Sequence, residues 1–134
     1  MRKILVLLSI MLTTACAAKT ENMSHYYPEY VGGDFYLTED MALFESYEHN
    51  YSFNKNALAR QSDCCTSGKQ IALLPKGTKV QISDILRYVK FTNDCNEAIG
   101  SAIINGKRLG FEYFVNCNYQ GVKVAKSLPW KREL

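Results

Sequence analysis

Long hydrophobic runs are missing from this 134-residue chain. The longest, Ile4 to Met11, is interrupted only by Ser9, and a span of roughly 20 apolar residues is needed to cross a bilayer. Histidine is scarce: His25 and His49 are the only two, and neither sits in a nucleophile, metalloprotease or phosphate-loop pattern. The carboxylates Glu39 and Asp40 stand beside an apolar run and read as a solvated turn rather than an acid–base pair. Thiolate zinc sites space their cysteines by two to four residues, whereas Cys64 and Cys65 are adjacent. The expectation is a non-enzymatic protein with no catalytic residues, no cofactor and no metal. A charge excess is also lacking. The whole chain carries +3, and without Arg2 and Lys3 it carries +1. Phosphate binding needs concentrated lysine and arginine, so a nucleic-acid partner is not expected.

The start of the chain is its most informative part. Met1-Arg2-Lys3 is a short basic segment, the apolar run follows, and Leu12-Thr13-Thr14-Ala15-Cys16 ends it. This is the layout of a secretory signal peptide. The small residue Ala15 before Cys16 resembles the lipobox of bacterial lipoproteins, with Leu12 one place early and Thr13 where an aliphatic residue is preferred. The resemblance implies cleavage after residue 15, diacylation of Cys16 and anchoring by acyl chains that contribute about 0.8 kcal/mol per buried methylene. The implied location is the bacterial envelope. Ala17 is compatible with the outer membrane, on the periplasmic side, because the usual retention signal is aspartate. Ala15-Cys16-Ala17 also satisfies the rule for ordinary secretion, so that reading stays open.

Residues 16–33 read as a tether, with Pro28 and Gly32-Gly33 as breakers. The aromatic run His25 to Tyr30 is unusual for a linker and implies a segment that folds back on the domain or docks a partner. Residues 34–134 read as one all-β domain. Short apolar runs cover 34–38, 41–45, 70–74, 78–82 and 86–91, with loops at 46–56 and 61–68, and residues 57–60 form a short strand or one helical turn. Pro75-Lys76-Gly77 supplies a tight turn between two strands. Asn105-Gly106 between Ile99–Ile104 and Lys107–Val115 is a strong hairpin signal, because both turn residues need positive φ. Residues 119–125 could add a last strand.

With Cys16 lipidated, Cys64, Cys65, Cys95 and Cys117 remain, and four cysteines allow three connectivities. A two-residue turn at Asn105-Gly106 sets Cys95 one place short of Cys117. A single β-bulge in the second strand, for which Gly110 is suitable, repairs the register. It would also move Ile99 from Glu112 to Tyr113. A Cys95–Cys117 disulfide is therefore expected at the base of the hairpin. Bridges from Cys64 and Cys65 to the hairpin cysteines remain an alternative, as does a redox role for the adjacent thiols.

The stretch Gln70 to Phe114 resembles the bacterial SH3-like domain. Leu74-Pro75-Lys76-Gly77-Thr78-Lys79-Val80-Gln81-Ile82 is similar to its Lys-Gly-Thr hairpin. Gly106 to Tyr113 is similar to its Gly-x-x-Gly-Trp-Val element, with Phe111 in the tryptophan position. Arg87 to Phe91 and Met41 to Glu45 match further strands. The resemblance implies a small barrel of five to six strands that binds peptidoglycan or an envelope protein. Tyr47, Tyr51 and Phe53 on the long loop are the candidate contact residues. A periplasmic inhibitor or immunity lipoprotein, acting on a toxin or wall hydrolase, is the competing expectation.

Overall fold

The computed structural model describes residues 19–46, 56–62, 68–90, 93–119, 122–125 and 127–133. The protein is all-β. Its strands are β1 (Lys19–Asn22), β2 (Gly33–Leu37), β3 (Met41–Ser46), β4 (Asn56–Ala59), β5 (Gly68–Leu74), β6 (Lys79–Lys90), β7 (Asn93–Ile104), β8 (Lys107–Tyr119), β9 (Val122–Ala125) and β10 (Trp130–Lys131). They form one curled sheet in the order β10-β2-β6-β7-β8-β4-β3-β5, with β1 added to β6 and β9 to β8. The ten strands among the described residues exceed the five to six expected. β1 falls in the segment read as tether and β10 in the tail, and β4 and β9 are short strands of four residues each.

A corner explains how the sheet curls. β2 pairs with β6, and beyond the corner β3 pairs with β5. The register is unbroken across it: Tyr36 faces Lys79, and five residues further along each strand Met41 faces Leu74. The two chains thus make one antiparallel ribbon bent at residues 38–40 and 75–78. Leu37 donates to Thr78 O at 2.9 Å and Gly77 donates to Leu37 O at 2.8 Å, which pins the bend. Gly77 has φ 85°, a value that favours glycine. The Pro75-Lys76-Gly77 turn therefore does not close a hairpin as expected. It carries the chain round the corner from β5 to β6. The runs 78–82 and 86–91 are not separate strands either. Residues 79–82 and 86–90 both belong to β6, whose register shifts between Ile82 and Asp84.

The β7–β8 hairpin forms around Asn105 (φ 51°) and Gly106 (φ 75°). One extra residue is present in β8, as expected, but its place is corrected. The shift falls between Asn96 and Glu97 of β7, opposite Val115, and not at Gly110. Ile99 accordingly faces Glu112 after all. Side-chain volume explains the choice. In this register Leu109 faces Ala102, Phe111 faces Gly100 and Tyr113 faces Ala98, so each large residue meets a small one. A Cβ on Gly100 would lie 2.7 Å from both the Phe111 ring and Gln81 O, so the fully buried ring needs a glycine there. Beyond the bulge Cys95 faces Cys117, and the two form the expected disulfide.

The core lies between the curled walls and includes Phe35, Leu37, Met41, Leu43, Ile82, Ile85, Phe111, Tyr113 and Trp130. The tether expected over 16–33 is corrected from Lys19 onward. Lys19–Asn22 extends the sheet along β6, and Met23, Tyr27 and Val31 pack on the core. Apolar burial decides this, since each of those side chains gains by leaving water. The aromatic run thus folds back on the domain, one of its two expected behaviours.

Candidate functional site

The outer face of β2, β6, β7 and β8 carries a polar row. Asp34, Gln81, Ser101 and Gly110 are successive register partners across these four strands. Gln81 Nε2 donates to Asp34 Oδ1 at 3.0 Å, and Lys79 Nζ lies 2.5 Å from Asp34 Oδ2. Both contacts, the Lys79 hydrogen bond first, lower the Asp34 carboxyl below its ordinary value. Arg108 Nη1 donates to Gln81 Oε1 and, at 2.9 Å, to Ser101 Oγ. Its direct partner on β7 is Ile103, which is 55% exposed. Lys79, Gln81, Ser101, Ile103 and Arg108 line a cleft of about 280 Å³. A second hollow of about 390 Å³, lined by Gly33, Ser83 and Gly100, shares Gln81 and Ser101 with it. The two make one trough along the strands.

A different pair lies further along the hairpin. Glu112 is only 8% exposed. Glu97 sits on the same outer face, diagonal to it, because Glu97 faces Phe114 and Ile99 faces Glu112. Glu97 Oε2 is buried without a hydrogen-bond partner among the described residues. Burial first, and then the neighbouring Glu112 charge, push Glu97 up to about 8. The folded state therefore binds more protons than the unfolded state between about pH 4.5 and 8. That contribution to stability is complete below the unfolded value and is lost as pH rises through 8. Glu97→Gln removes the titrating group. Urea melts at pH 5 should barely separate the variant from the parent. At pH 9 the variant should be more stable by roughly 2–4 kcal/mol, since each tenfold change in proton affinity is worth about 1.4 kcal/mol. Parallel pH profiles for the two proteins would refute the account.

Glu39 and Asp40 have structural partners. Arg60 donates to both Glu39 oxygens at 2.8 and 2.6 Å, and Asp40 accepts from the Lys76 amide at 2.8 Å. His25 stacks on Tyr26 with ring centroids 4.0 Å apart. Among the described residues no group of three or more histidines, cysteines or carboxylates is placed to hold a metal ion. The expected contact residues Tyr47, Tyr51 and Phe53 lie outside the described residues, as do Cys16, His49, Cys64 and Cys65.

The sequence reading missed the Arg108 trough. Half of its signal was present: the Asn105-Gly106 turn alone sets Ile103 against Arg108 and Ser101 against Gly110. The other half, the approach of Gln81 and Asp34, depends on the shifted β6–β7 register and on β2 joining β6. No family model, curated protein or solved structure matches the chain.

Proposed function

We propose that this protein is a lipid-anchored, non-enzymatic module of the bacterial envelope that binds peptidoglycan or an envelope protein. The reading starts from the leader and Cys16. The observation that carries it is that Lys19, three residues after Cys16, is already paired in the sheet. β1 starts at Lys19, and the three residue steps from Cys16 to Lys19 can span at most about 10 Å. Lys19 pairs with Val89 near the end of β6, beside the disulfide end of the β7–β8 hairpin. A lipid on Cys16 would hold that end of the sheet against the membrane. The Asn105-Gly106 turn would then point away from it, roughly 35 Å along β7 at about 3.3 Å per residue. Lys79, Gln81, Ser101 and Arg108 belong to the far end, which supports a surface offered to a partner outside the bilayer. In this geometry a lipid on Cys16 would hold the domain by a short connection rather than a long leash.

The intact mass of the protein extracted from membranes tests the anchor. The expected mass is that of residues 16–134 plus a diacylglyceryl group, with or without a further N-acyl chain. Cys16→Ala should leave the uncleaved precursor. A parent mass starting near Ala17 or Ala18 with no lipid would replace the anchor by simple secretion. Co-sedimentation of the anchored protein with purified sacculi separates peptidoglycan from a protein partner.

A further inference from the structure

We propose that the trough on the outer face of β6, β7 and β8 binds a peptide carboxylate, with Arg108 as its bidentate anchor. Three features carry this. The first is the state of the guanidinium. Arg108 spends Nη1 on Gln81 and Ser101, which fixes its orientation. Its Nε and Nη2 have no partner among the described residues and form the edge that matches the two oxygens of a carboxylate.

The second feature is charge. Lys79, the other cation lining the cleft, is held by Asp34. Asp34 also feels the Arg108 charge, so the site sets two cations, Lys79 and Arg108, against one carboxylate and keeps a net positive charge beside an amide and hydroxyl groups. A single net positive charge suits a monoanion better than a phosphate, which gathers several cations or a ring of amides.

The third is shape. Ile103, exposed beside Arg108, offers apolar contact to the side chain next to the carboxylate. Away from Arg108 the trough is lined by small residues, Gly33, Ser83, Gly100 and Ser101, together with Gln81 and Ile82. Small residues let an extended backbone approach the sheet closely. A chain terminus, with its carboxylate on Arg108 and its preceding residues along Ser101 and Ser83, fits both halves.

The inference rests on the reading of the domain as a binding module and narrows the ligand class. It fails separately from that reading, because the lipid mass at Cys16 does not depend on Arg108. The test is a titration of the ¹⁵N-labelled full chain in detergent micelles with N-acetyl-trialanine and with its C-terminal amide. The acid should give saturable shifts at the Gly100, Ser101 and Ile103 amides and at Arg108 Nε–H. The amide, which lacks the charge, should bind at least about tenfold more weakly, the equivalent of one lost charge-assisted contact. Arg108→Gln should show the same loss. Arg108→Lys, which keeps charge without the fork, should fall between. Ser83→Tyr should block the trough while leaving Arg108 in place and should also weaken binding. Equal binding of acid and amide would overturn the proposal, as would no shift at about 10 mM peptide, roughly tenfold above a dissociation constant of about 1 mM. Inorganic phosphate binding as tightly as the peptide would replace it with a general anion site.

Discussion

Trp130→Ala is expected to cost about 3–5 kcal/mol, the range for removing a large buried aromatic side chain. This is the only tryptophan in the chain and it is 1% exposed. Its ring meets Tyr113 edge-on with centroids 5.2 Å apart. Its Nε1 donates to Tyr30 O at 3.1 Å, so the side chain also satisfies the backbone of the folded-back N-terminal segment. The neighbouring tail repeats the pattern. Pro129 O accepts from Thr38 at 2.9 Å, and Ser127 O accepts from the Tyr113 hydroxyl at 2.9 Å. Arg132 donates to Pro28 O and Val31 O while its guanidinium lies 4.7 Å from the Phe35 ring centre. Trp130 is thus the point where residues 23–32 and 127–133 meet to close one end of the core. Loss of that ring should release residues 23–32 and 127–133 together. Single domains are stable by only about 5–15 kcal/mol, so the variant should melt well below the parent in urea followed by far-UV circular dichroism. Trp130→Phe keeps most of the packing but leaves Tyr30 O without its donor, which should cost about 1–2 kcal/mol. A loss under about 1 kcal/mol for the alanine variant would show that the tail does not close the core.

What the sequence disclosed follows from how local each signal is. The Asn105-Gly106 hairpin needed only two residues and two apolar flanks, and it is present with its first pair, Ile104 and Lys107, as the turn demands. The disulfide followed from that register and one extra residue. Polarity alone misplaces that residue at Gly110. By that measure Ile99 against Glu112 is unfavourable, whereas the pairing is decided on the other face, where Phe111 needs Gly100. The corner between β5 and β6 was misread for a related reason. A Pro-x-Gly turn has the same local signature whether its strands pair with each other or with two different neighbours. The tail and the segment after Cys16 were undervalued because their contacts span long stretches of chain. Trp130 bonds to Tyr30, and Tyr27 packs on the core, and no periodicity in a short segment reveals such partners. The Arg108 trough is hidden in the same way, since it draws on β2, β6, β7 and β8 at once.

Replacing Cys95 and Cys117 together by alanine is expected to cost about 3 kcal/mol, the loop-closure value for cysteines 22 residues apart. The bridge occupies more than the hairpin. Thr20, Tyr88, Cys95, Cys117 and Val124 are successive register partners across β1, β6, β7, β8 and β9. The disulfide therefore sits in the middle of a five-strand row whose outer members, β1 and β9, have four residues each. Strands so short contribute little on their own, and they persist by pairing with a rigid neighbour. Without the bridge, hydrogen exchange should speed up first at residues 19–22 and 122–125, before the global unfolding limit is reached. The double variant is the informative one, because a single replacement leaves a free thiol that Cys64 or Cys65 could capture. Comparing it with and without reductant separates the bridges. If reductant destabilises the double variant further, that increment belongs to Cys64 and Cys65. If reductant affects only the parent, Cys95–Cys117 is the bridge that stability depends on. A double variant within about 1 kcal/mol of the parent would remove the bridge from the account of stability and leave the packing of β7 on β8 to hold this end of the sheet. In an anchored protein this end carries the lipid three residues before β1. A frayed β1 would then lengthen the connection to the membrane, so reduction should free the domain's orientation before it unfolds the core.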